Sequence, residues 1–409
     1  MPRSKVKKSI PVGRPSVLRH TNALSILTLL RESGTRSRAD LVRASGLSAP
    51  TVTNVVKDLL RQNLVEALGE GESSGGRPPD MMIRFKAERG CILAVDISAE
   101  YLSFLLADLN GNELGSLRVA LAKRETTPGA ICGYIDRTVQ KLLGRHKKTR
   151  EQLLILVVGV PAIANVDEGT VLSISTLEAW RAVPLRAMLN NIFDCLVIVE
   201  NDTNLAAQGE HWCGAAQAEK DFVFISIGIN VGAGIILGGK IHHGSQWSAG
   251  EIAYLRLPHI LRRQPAIHEF GEVEGVLTSS GILKSWNGEN RKDCRQMSAS
   301  QKQLRAVDVL DLAQAGDPHA RRIIRLRVDI VSDIIVNLSL ILNPGLVLLG
   351  GEIGSHPVLV NSVSRQLAGS EFAVTKIGTG ALGERAVLWG GVSLALEAIS
   401  SVLLPQPLA

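Results

Sequence analysis

The N-terminal part of the chain shows the hydrophobic spacing of short amphipathic helices. Four apolar residues follow an i, i+3, i+4, i+7 pattern and predict a first helix over 21–33: Ala23, Ile26, Leu27 and Leu30. Ser37 and Asp40 form a capping pair for a second helix, which we expect to end at Gly46. Ser48 then caps a third helix, whose apolar face comprises Val52, Val55, Val56 and Leu59.

The third predicted helix has a small polar face opposite its apolar one. Two short helices joined by a tight turn form a helix-turn-helix, whose second helix enters the major groove of DNA. We expect Thr53, Asn54 and Lys57 to reach base edges or phosphates there. The full set expected to contact DNA or to position the helix on it is Ser48, Pro50, Thr51, Thr53, Asn54, Lys57 and Arg61. Because short helical triplets also occur in protein–protein modules, the pattern needs support from its surroundings.

A predicted hairpin supplies that support. The pattern indicates a strand over 64–68, a polar tip over 69–79 and a return strand over 81–85, which together form a wing. Arg77 stands on a glycine-hinged, proline-stiffened tip, suited to a narrow minor groove. Residues 1–89 carry 16 Lys and Arg against 8 Asp and Glu, whereas the remainder carries 29 against 31. Helices, wing and local basicity predict a DNA-binding domain over 1–87.

After this segment the pattern changes to short apolar strands interleaved with helices. The predicted strands are 91–97, 102–108, 153–160, 195–199, 222–227, 346–349 and 387–389. Such alternation indicates the α/β fold class. A strand, a glycine turn and a helix recur in both halves, which indicates two similar lobes around a cleft. We expect the lobes to span 88–200, completed by a C-terminal helix over about 392–409, and 201–391.

Length and composition set the broad limits. A chain of 409 residues exceeds what one hydrophobic core usually serves, so two or three domains are expected. No apolar run is long enough to cross a bilayer, and no secretory segment follows the basic start, which predicts a cytoplasmic protein with no membrane partner. The five cysteines form no Cys-x-x-Cys pair and are expected to be reduced core thiols.

Several motifs of the body occur in an order and spacing that resemble the ROK family (repressors, open reading frames and kinases) within the actin-like sugar-kinase fold. The resemblance runs from about residue 22 to 399 and is to the repressor branch, which has an N-terminal winged helix. Its carriers are Gly75-Gly76-Arg77-Pro78, Asp96, Asp108-Leu109-Asn110-Gly111, the run 199–210, the loop 226–234, Ala249-Gly250-Glu251-Ile252, and Asn343-Pro344 before Leu349-Gly350-Gly351.

The resemblance implies a sugar site. In kinases of this family an Asp in a Glu-Asn-Asp run accepts the proton of the sugar hydroxyl, and Asp202 occupies that place. The same carboxylate can bind a hydroxyl without chemistry, inside a polar cage suited to a polyol. The expected sugar-binding residues are Asn201, Asp202, Glu251, Glu274, Thr176 and Tyr254. Thr176 stands where the family often has Asn, and Tyr254 replaces a His that also contacts sugar, so specificity is expected to differ. Glu200 and Glu210 are expected to be structural.

The phosphate site implied by the resemblance is altered. Loops that hold phosphate favour glycine, because backbone N–H groups must approach the anion closely. The family pattern Asp-Ile-Gly-Gly-Thr-Lys reads Asp96-Ile97-Ser98-Ala99-Glu100-Tyr101, and Gly-Thr-Gly reads Gly228-Ile229-Asn230. A carboxylate near phosphate costs on the order of several kcal/mol before screening. We therefore expect ATP to be rejected, with no catalytic residue and no cofactor. The family's zinc-binding His and three Cys are also missing, so no metal is expected.

These features predict a sugar-responsive DNA-binding transcriptional regulator, a repressor of carbohydrate-metabolism genes that lacks kinase activity. Its expected partners are operator DNA, a sugar or sugar derivative, and a second copy of the chain, since two recognition helices read a palindrome. Two alternatives stay open. One is an ATP-dependent sugar kinase fused to a DNA-binding module, which Asp202 supports. The other is a regulator controlled by a protein partner, which the departures at Thr176 and Tyr254 allow.

Overall fold

The computed structural model describes residues 15–70, 81–98, 100–121, 126–174, 179–258, 260, 271–290, 304–370 and 376–405. Its N-terminal part contains three helices and three short strands: α1 (Pro15–Ser33), β1 (Arg36–Ser37), α2 (Arg38–Ser45), α3 (Ala49–Arg61), β2 (Val65–Glu70) and β3 (Met81–Phe85). The strands form an antiparallel sheet in the order β1-β3-β2. Helices and sheet together give the predicted winged helix. Residues 71–80, including Arg77, lie outside the described residues.

Local chemistry fixes the ends of α2 and α3 as predicted. The Ser37 side chain accepts a hydrogen bond from the Asp40 N–H (3.1 Å), and the Asp40 carboxylate accepts one from the Ser37 N–H (3.1 Å), which forms a capping box. Gly46 follows α2 with φ 68°, a left-handed conformation that glycine adopts without strain. Ser48 caps α3 by accepting a hydrogen bond from Thr51.

The predicted start of the first helix at residue 21 was wrong, since α1 begins at Pro15. Proline is favoured in the first turn of a helix, where its missing N–H costs nothing. The added residues have no buried face that a pattern could reveal, because Val17 is 53% exposed and Leu18 is 61% exposed. Further along α1, Ile26, Leu27 and Leu30 are buried as predicted.

Two five-stranded sheets form the body. The first half contains β4 (Cys91–Ile97), β5 (Tyr101–Ala107), β6 (Glu113–Ala120), α4 (Pro128–Arg145), β7 (Leu153–Val160), β8 (Ile163–Asn165), β9 (Thr170–Ser173), α5 (Leu185–Asn190), β10 (Leu196–Asn201) and α6 (Asp202–Cys213). The second half contains β11 (Phe222–Ile227), β12 (Val231–Leu237), β13 (Lys240–Ile241), α7 (Glu274–Leu277), α8 (Ser279–Asn290), α9 (Ala306–Ala315), α10 (Pro318–Leu342), β14 (Leu346–Gly350), α11 (Gly351–Gly354), α12 (Pro357–Leu367), β15 (Lys376–Thr379) and α13 (Ala386–Leu403).

Both sheets follow one plan. Their strand orders are β10-β7-β4-β5-β6 and β13-β12-β11-β14-β15. In each, three consecutive antiparallel strands are extended by two strands that run parallel to each other. β4 and β14 are buried at every position, which is typical of sheet centres covered on both faces. The α/β fold class and the duplication within the body agree with the prediction.

Tertiary contacts divide the chain into two units. The first comprises Met1–Cys91, Asp108–Asn112 and Leu396–Ala409, and the second comprises Ile92–Ala107 and Glu113–Ala395. Within the first unit, Arg31 of α1 donates hydrogen bonds to the Leu396 carbonyl (3.3 Å) and to the Ser400 hydroxyl (3.4 Å) of α13. The C-terminal end of α13 is thus grouped with the winged helix. The boundaries of the two lobes within the second unit stay a prediction.

The strand predicted at 387–389 was wrong, and so was the predicted start of the last helix at 392, because α13 runs from Ala386. A short apolar run does not distinguish a strand from a buried helix, and Gly390-Gly391 looked like a turn. Gly390 instead lies where a Cβ would overlap the Leu205 carbonyl, so glycine lets α13 approach α6 closely. The stretch Gly383–Leu403 is long and apolar enough to cross a membrane, but half of it is buried inside the protein, as in a core helix.

Candidate DNA-binding helix and ligand cavity

Helix α3 separates its apolar and polar faces as predicted. Val52, Val55, Val56 and Leu59 are buried. The helix residues Pro50, Thr53, Asn54, Lys57 and Arg61 are exposed, as is the N-cap Ser48, and Thr51 is half-buried. Apart from Arg77, which lies outside the described residues, the side chains that the sequence assigned to DNA thus lie on α3 or at its N-cap.

The polar side chains of α3 differ in what they already bind. The Ser48 and Thr51 hydroxyls share a hydrogen bond (2.8 Å) and close the helix start. Arg61 donates to Asp58 (3.0 Å), which offsets part of its charge. Thr53, Asn54 and Lys57 make no side-chain hydrogen bond with any described part of the chain. The polar groups of these three side chains are exposed to solvent and can hydrogen-bond to DNA, as those of a recognition helix do.

A cavity of about 550 Å³ lies in the second unit. Five of the residues that the sequence assigned to a sugar line it together: Asn201, Asp202, Glu251, Tyr254 and Glu274. Thr176 lies outside the described residues. The structure thus brings together side chains from β10, α6, α7 and the segment after β13.

Asp202 is positioned by the junction of β10 and α6. The Asn201 side chain accepts a hydrogen bond from the Asn204 N–H (3.0 Å), which caps α6, and donates one to the Ala162 carbonyl (3.0 Å). Asn201 is therefore mainly an anchor, with one amide N–H left for a ligand. Oδ1 of Asp202 accepts hydrogen bonds from the Thr203 N–H (2.6 Å) and hydroxyl (3.1 Å). Its Oδ2 accepts none from the described residues.

Glu251 depends on the glycine before it. Gly250 has φ 89°, and a Cβ there would overlap the Ala233 carbonyl, so only glycine fits this close approach to β12. The turn directs Glu251 toward Asp202. Burial and repulsion from Asp202 and Glu274 raise the pKa of Glu251 to about 7.

Other carboxylates that line the cavity also have raised pKa values. Burial raises the pKa of Glu274 to about 7 and that of Asp202 to about 6. Burial and repulsion from Asp202 raise the pKa of Asp96 to about 7, although the Arg118 guanidinium opposes this rise. The Asp202 carboxylate thus contributes to the raised pKa of both Asp96 and Glu251.

Two of these carboxylates accept no hydrogen bond from the described residues. Asp96 is 7% exposed, and neither its carboxylate nor that of Glu251 accepts a hydrogen bond from this part of the chain. Both residues line the cavity, so their oxygens are accessible to solvent or to a ligand. A polyol, whose hydroxyls both donate and accept, would satisfy several of them at once.

Ser98 and Ile229, which stand in the two loops that the family resemblance links to phosphate, line the cavity. The Ser98 N–H donates to the Tyr101 carbonyl (3.0 Å). The Arg118 guanidinium stacks 3.5 Å from the Tyr101 ring centre and donates to Glu384 (2.6 Å). Ile229 is 47% exposed and lines the same space. Sequence reasoning missed Arg118 and Glu384, because 266 residues separate them and no motif joins them.

Two carboxylates of the predicted sugar motif bind other groups of the protein and stabilise the structure around the cavity. Glu200 accepts hydrogen bonds from the Asn201 N–H (2.8 Å) and the Asn204 amide (3.0 Å) and pairs with His243 (2.7 Å). That pairing raises the pKa of His243. Glu210 accepts hydrogen bonds from the N–H groups of Ala381 and Leu382, at 2.9 Å each. Both match the structural role predicted for them.

Comparisons with known proteins agree with a winged helix in the N-terminal part and a two-sheet fold in the rest of the chain. Residues 92–398 match the ROK family, and residues 21–68 match the MarR family. The xylose repressor of Caldicellulosiruptor bescii is 24% identical over 94% of this chain and 98% of its own length. A glucokinase of Halalkalibacterium halodurans is 28% identical over 61% of this chain and 80% of its own.

A solved structure shares the fold across both units. The crystal structure of a ROK family transcriptional regulator, a homologue of the E. coli Mlc protein, covers 95% of this chain and 98% of its own, with a TM-score of 0.77 and 20% identity. At that identity the likeness shows the fold alone. The family match covers most of the chain, the order of its motifs fits, and the chain therefore belongs to the ROK family.

Proposed function

We propose that this protein is a sugar-responsive, DNA-binding transcriptional regulator that represses genes of carbohydrate metabolism. The observation that carries the proposal is the pairing of two features in one chain. One is an exposed helix of recognition type, on which Thr53, Asn54 and Lys57 make no side-chain hydrogen bond with the described residues. The other is a cavity lined by carboxylates, of which those of Asp96 and Glu251 accept no hydrogen bond from the described residues. The similarity to a xylose repressor over nearly the whole chain supports the same function.

On the DNA side, Thr53, Asn54 and Lys57 read base edges or contact phosphates, while Ser48, Pro50, Thr51 and Arg61 set the helix on the groove. Arg77 would enter the minor groove from the wing tip. One short helix reads few base pairs, so we propose a homodimer on a palindromic operator, in the cytoplasm.

On the ligand side, Asp202 and Glu251 accept hydroxyl hydrogen bonds of a sugar, with Asn201, Tyr254 and Glu274 around them and Thr176 as a further contact. Sugar and operator are then linked by a coupling free energy of about 1–3 kcal/mol, which acts equally in both directions. Burial of the carboxylates makes donors on the ligand worth more than they would be in water.

The similarity to a glucokinase keeps a sugar kinase as the second candidate, and Asp202 stands where a general base would. The lining of the phosphate region argues against it. Glu100, Glu352 and Glu384 border the cavity there, and Ser98 and Ile229 add side chains where backbone N–H groups would approach phosphate. We therefore propose that the chain binds sugar without transferring phosphate.

Thermal unfolding with a sugar panel tests the ligand side, because a ligand that binds only the folded state raises the melting temperature. We expect one sugar to raise the wild-type Tm and to leave that of Asp202→Asn unchanged. ATP with magnesium should raise neither, and a coupled assay with that sugar should show no turnover. Turnover would favour the kinase. Indifference to every sugar would favour control by a protein partner.

A further inference from the structure

The cavity has two ends that differ in composition. The first, which we call the Glu251 end, comprises Asn201, Glu251, Tyr254 and Glu274. The second, which we call the Arg118 end, comprises Asp96, Ser98, Tyr101 and Arg118, which lie on or next to the adjacent strands β4, β5 and β6, and Glu384, which accepts a hydrogen bond from Arg118. Asp202 lines the same cavity as both groups of residues. A single sugar ring held by Asp202 at the Glu251 end leaves the Arg118 end unfilled.

The Arg118 end offers hydrogen-bonding groups of both kinds. The Asp96 carboxylate lines the cavity and accepts no hydrogen bond from the described residues. Arg118 uses one of its five N–H donors on Glu384 and is held flat against the Tyr101 ring. A fixed guanidinium beside a buried carboxylate is suited to the adjacent hydroxyls of a second ring.

Charge restricts what can occupy this end. Eight carboxylates line the cavity, and Arg118 is the only cationic side chain among the described residues that line it. Arg118 already pairs with Glu384. A phosphorylated sugar, a sugar acid or a nucleotide would meet net repulsion at either end. The occupant is therefore expected to be uncharged.

The volume leaves room for more than one ring. The cavity of about 550 Å³ falls in the middle of the range that buries drug-sized ligands. A monosaccharide is smaller than such ligands, whereas a disaccharide is of that size.

We propose that the effector is a neutral disaccharide, with one ring between Asp202 and the Glu251 end and the other at the Arg118 end. The proposal rests on the function given above and narrows its ligand class. In kinases of this fold the second region serves the nucleotide phosphates, so the same cleft would have changed from a phosphate donor site to a second sugar subsite.

Titration calorimetry on the full-length protein tests the proposal. The probes are three monosaccharides and their own disaccharides: xylose with xylobiose, glucose with cellobiose and maltose, and N-acetylglucosamine with chitobiose. At least one disaccharide should bind 10-fold or more tightly than its own monosaccharide. Arg118→Gln should lower that affinity ratio at least fivefold. Asp96→Asn, which keeps the size of the side chain, tests the same affinity ratio at a second residue of the Arg118 end.

Arg385→Gln is the matched control. Arg385 pairs with Glu113 on the same strand that carries Arg118 (2.6 Å), but it does not line the cavity. Its loss should leave both affinities unchanged. A monosaccharide that binds as tightly as each of its disaccharides would overturn the proposal and leave the proposed function standing. A disaccharide preference indifferent to Arg118 and Asp96 would overturn the assigned subsite. Binding of no sugar would overturn the proposed function as well.

Discussion

Helix α3 and the cavity are built on opposite principles. The helix and its N-cap carry their candidate contacts within one short stretch, 48–61, and most of those side chains are exposed and polar. The cavity collects its groups from across the second unit, and several of them are buried charges of one sign. Changes on the helix should therefore alter binding and leave stability unchanged. Changes in the cavity should alter both ligand binding and stability. The carboxylates there repel one another in the ligand-free protein, and a bound ligand can relieve that repulsion.

The largest effect on stability is expected at Gly390, where α13 packs closely against α6. Gly390→Ala would force a Cβ into the Leu205 carbonyl and separate α13 from α6, whose first residue is Asp202. We expect a loss of about 3 kcal/mol in the free energy of unfolding, measured by urea denaturation. Gly144→Ala is the control, since nothing lies within 4 Å of a Cβ at that helical position. A wild-type midpoint for Gly390→Ala would contradict the close packing.

A pair of variants should separate the two regions. Asn54→Ala should weaken operator binding by about 10- to 100-fold, equivalent to the 1–3 kcal/mol of a base contact, and leave sugar affinity intact. Asp202→Asn should weaken sugar binding at least about 10-fold, because a charged acceptor becomes neutral, and leave the sugar-free operator affinity intact. Fluorescence anisotropy and calorimetry measure the two affinities. A variant that loses both would show that the regions are not separable.

A smaller effect should show in the pH dependence of stability. The pKa of Glu251 is raised by burial to about 7 from the usual 4.5, so the folded protein holds this proton more tightly than the unfolded chain. Stability from this group is therefore greatest below pH 4.5, falls through the window from 4.5 to 7, and is fully lost above it.

The variant Glu251→Gln has no carboxyl group to ionise at this position, so it should not lose stability between pH 4.5 and 7 in this way. We expect the variant to be more stable than the wild type by on the order of 1 kcal/mol at pH 8, with no gain at pH 5. Thermal unfolding across this range, without ligand, gives the comparison. A destabilised variant at pH 8 would mean that the carboxylate is satisfied in the folded protein.

The smallest expected effect concerns a single phosphate contact. Lys57→Ala should reduce the slope of log affinity against log salt by about 1, as one counterion fewer is released. Lys141→Ala, at an exposed position on α4, should leave the slope unchanged. Equal slopes for all three proteins would remove Lys57 from the contacts.

The two regions also differ in how far the sequence could predict them. The faces of α3 follow from periodicity and two caps, both local signals, and the strands at 91–97, 153–160 and 222–227 were predicted to the residue. Asp202 and Glu251 required the resemblance to a family, since nothing local joins residues so far apart. Arg118 and Glu384 carried no signal. Helix α13 was mistaken in part for a strand because packing, not a turn, explains Gly390-Gly391.

The most direct test of the account is a titration of the purified protein on its own upstream DNA, with and without mono- and disaccharides. We predict specific binding whose affinity one neutral sugar changes by about 5- to 150-fold, and an equal change in sugar affinity when operator is added. Specific binding that no sugar alters, or a change in one direction only, would contradict it.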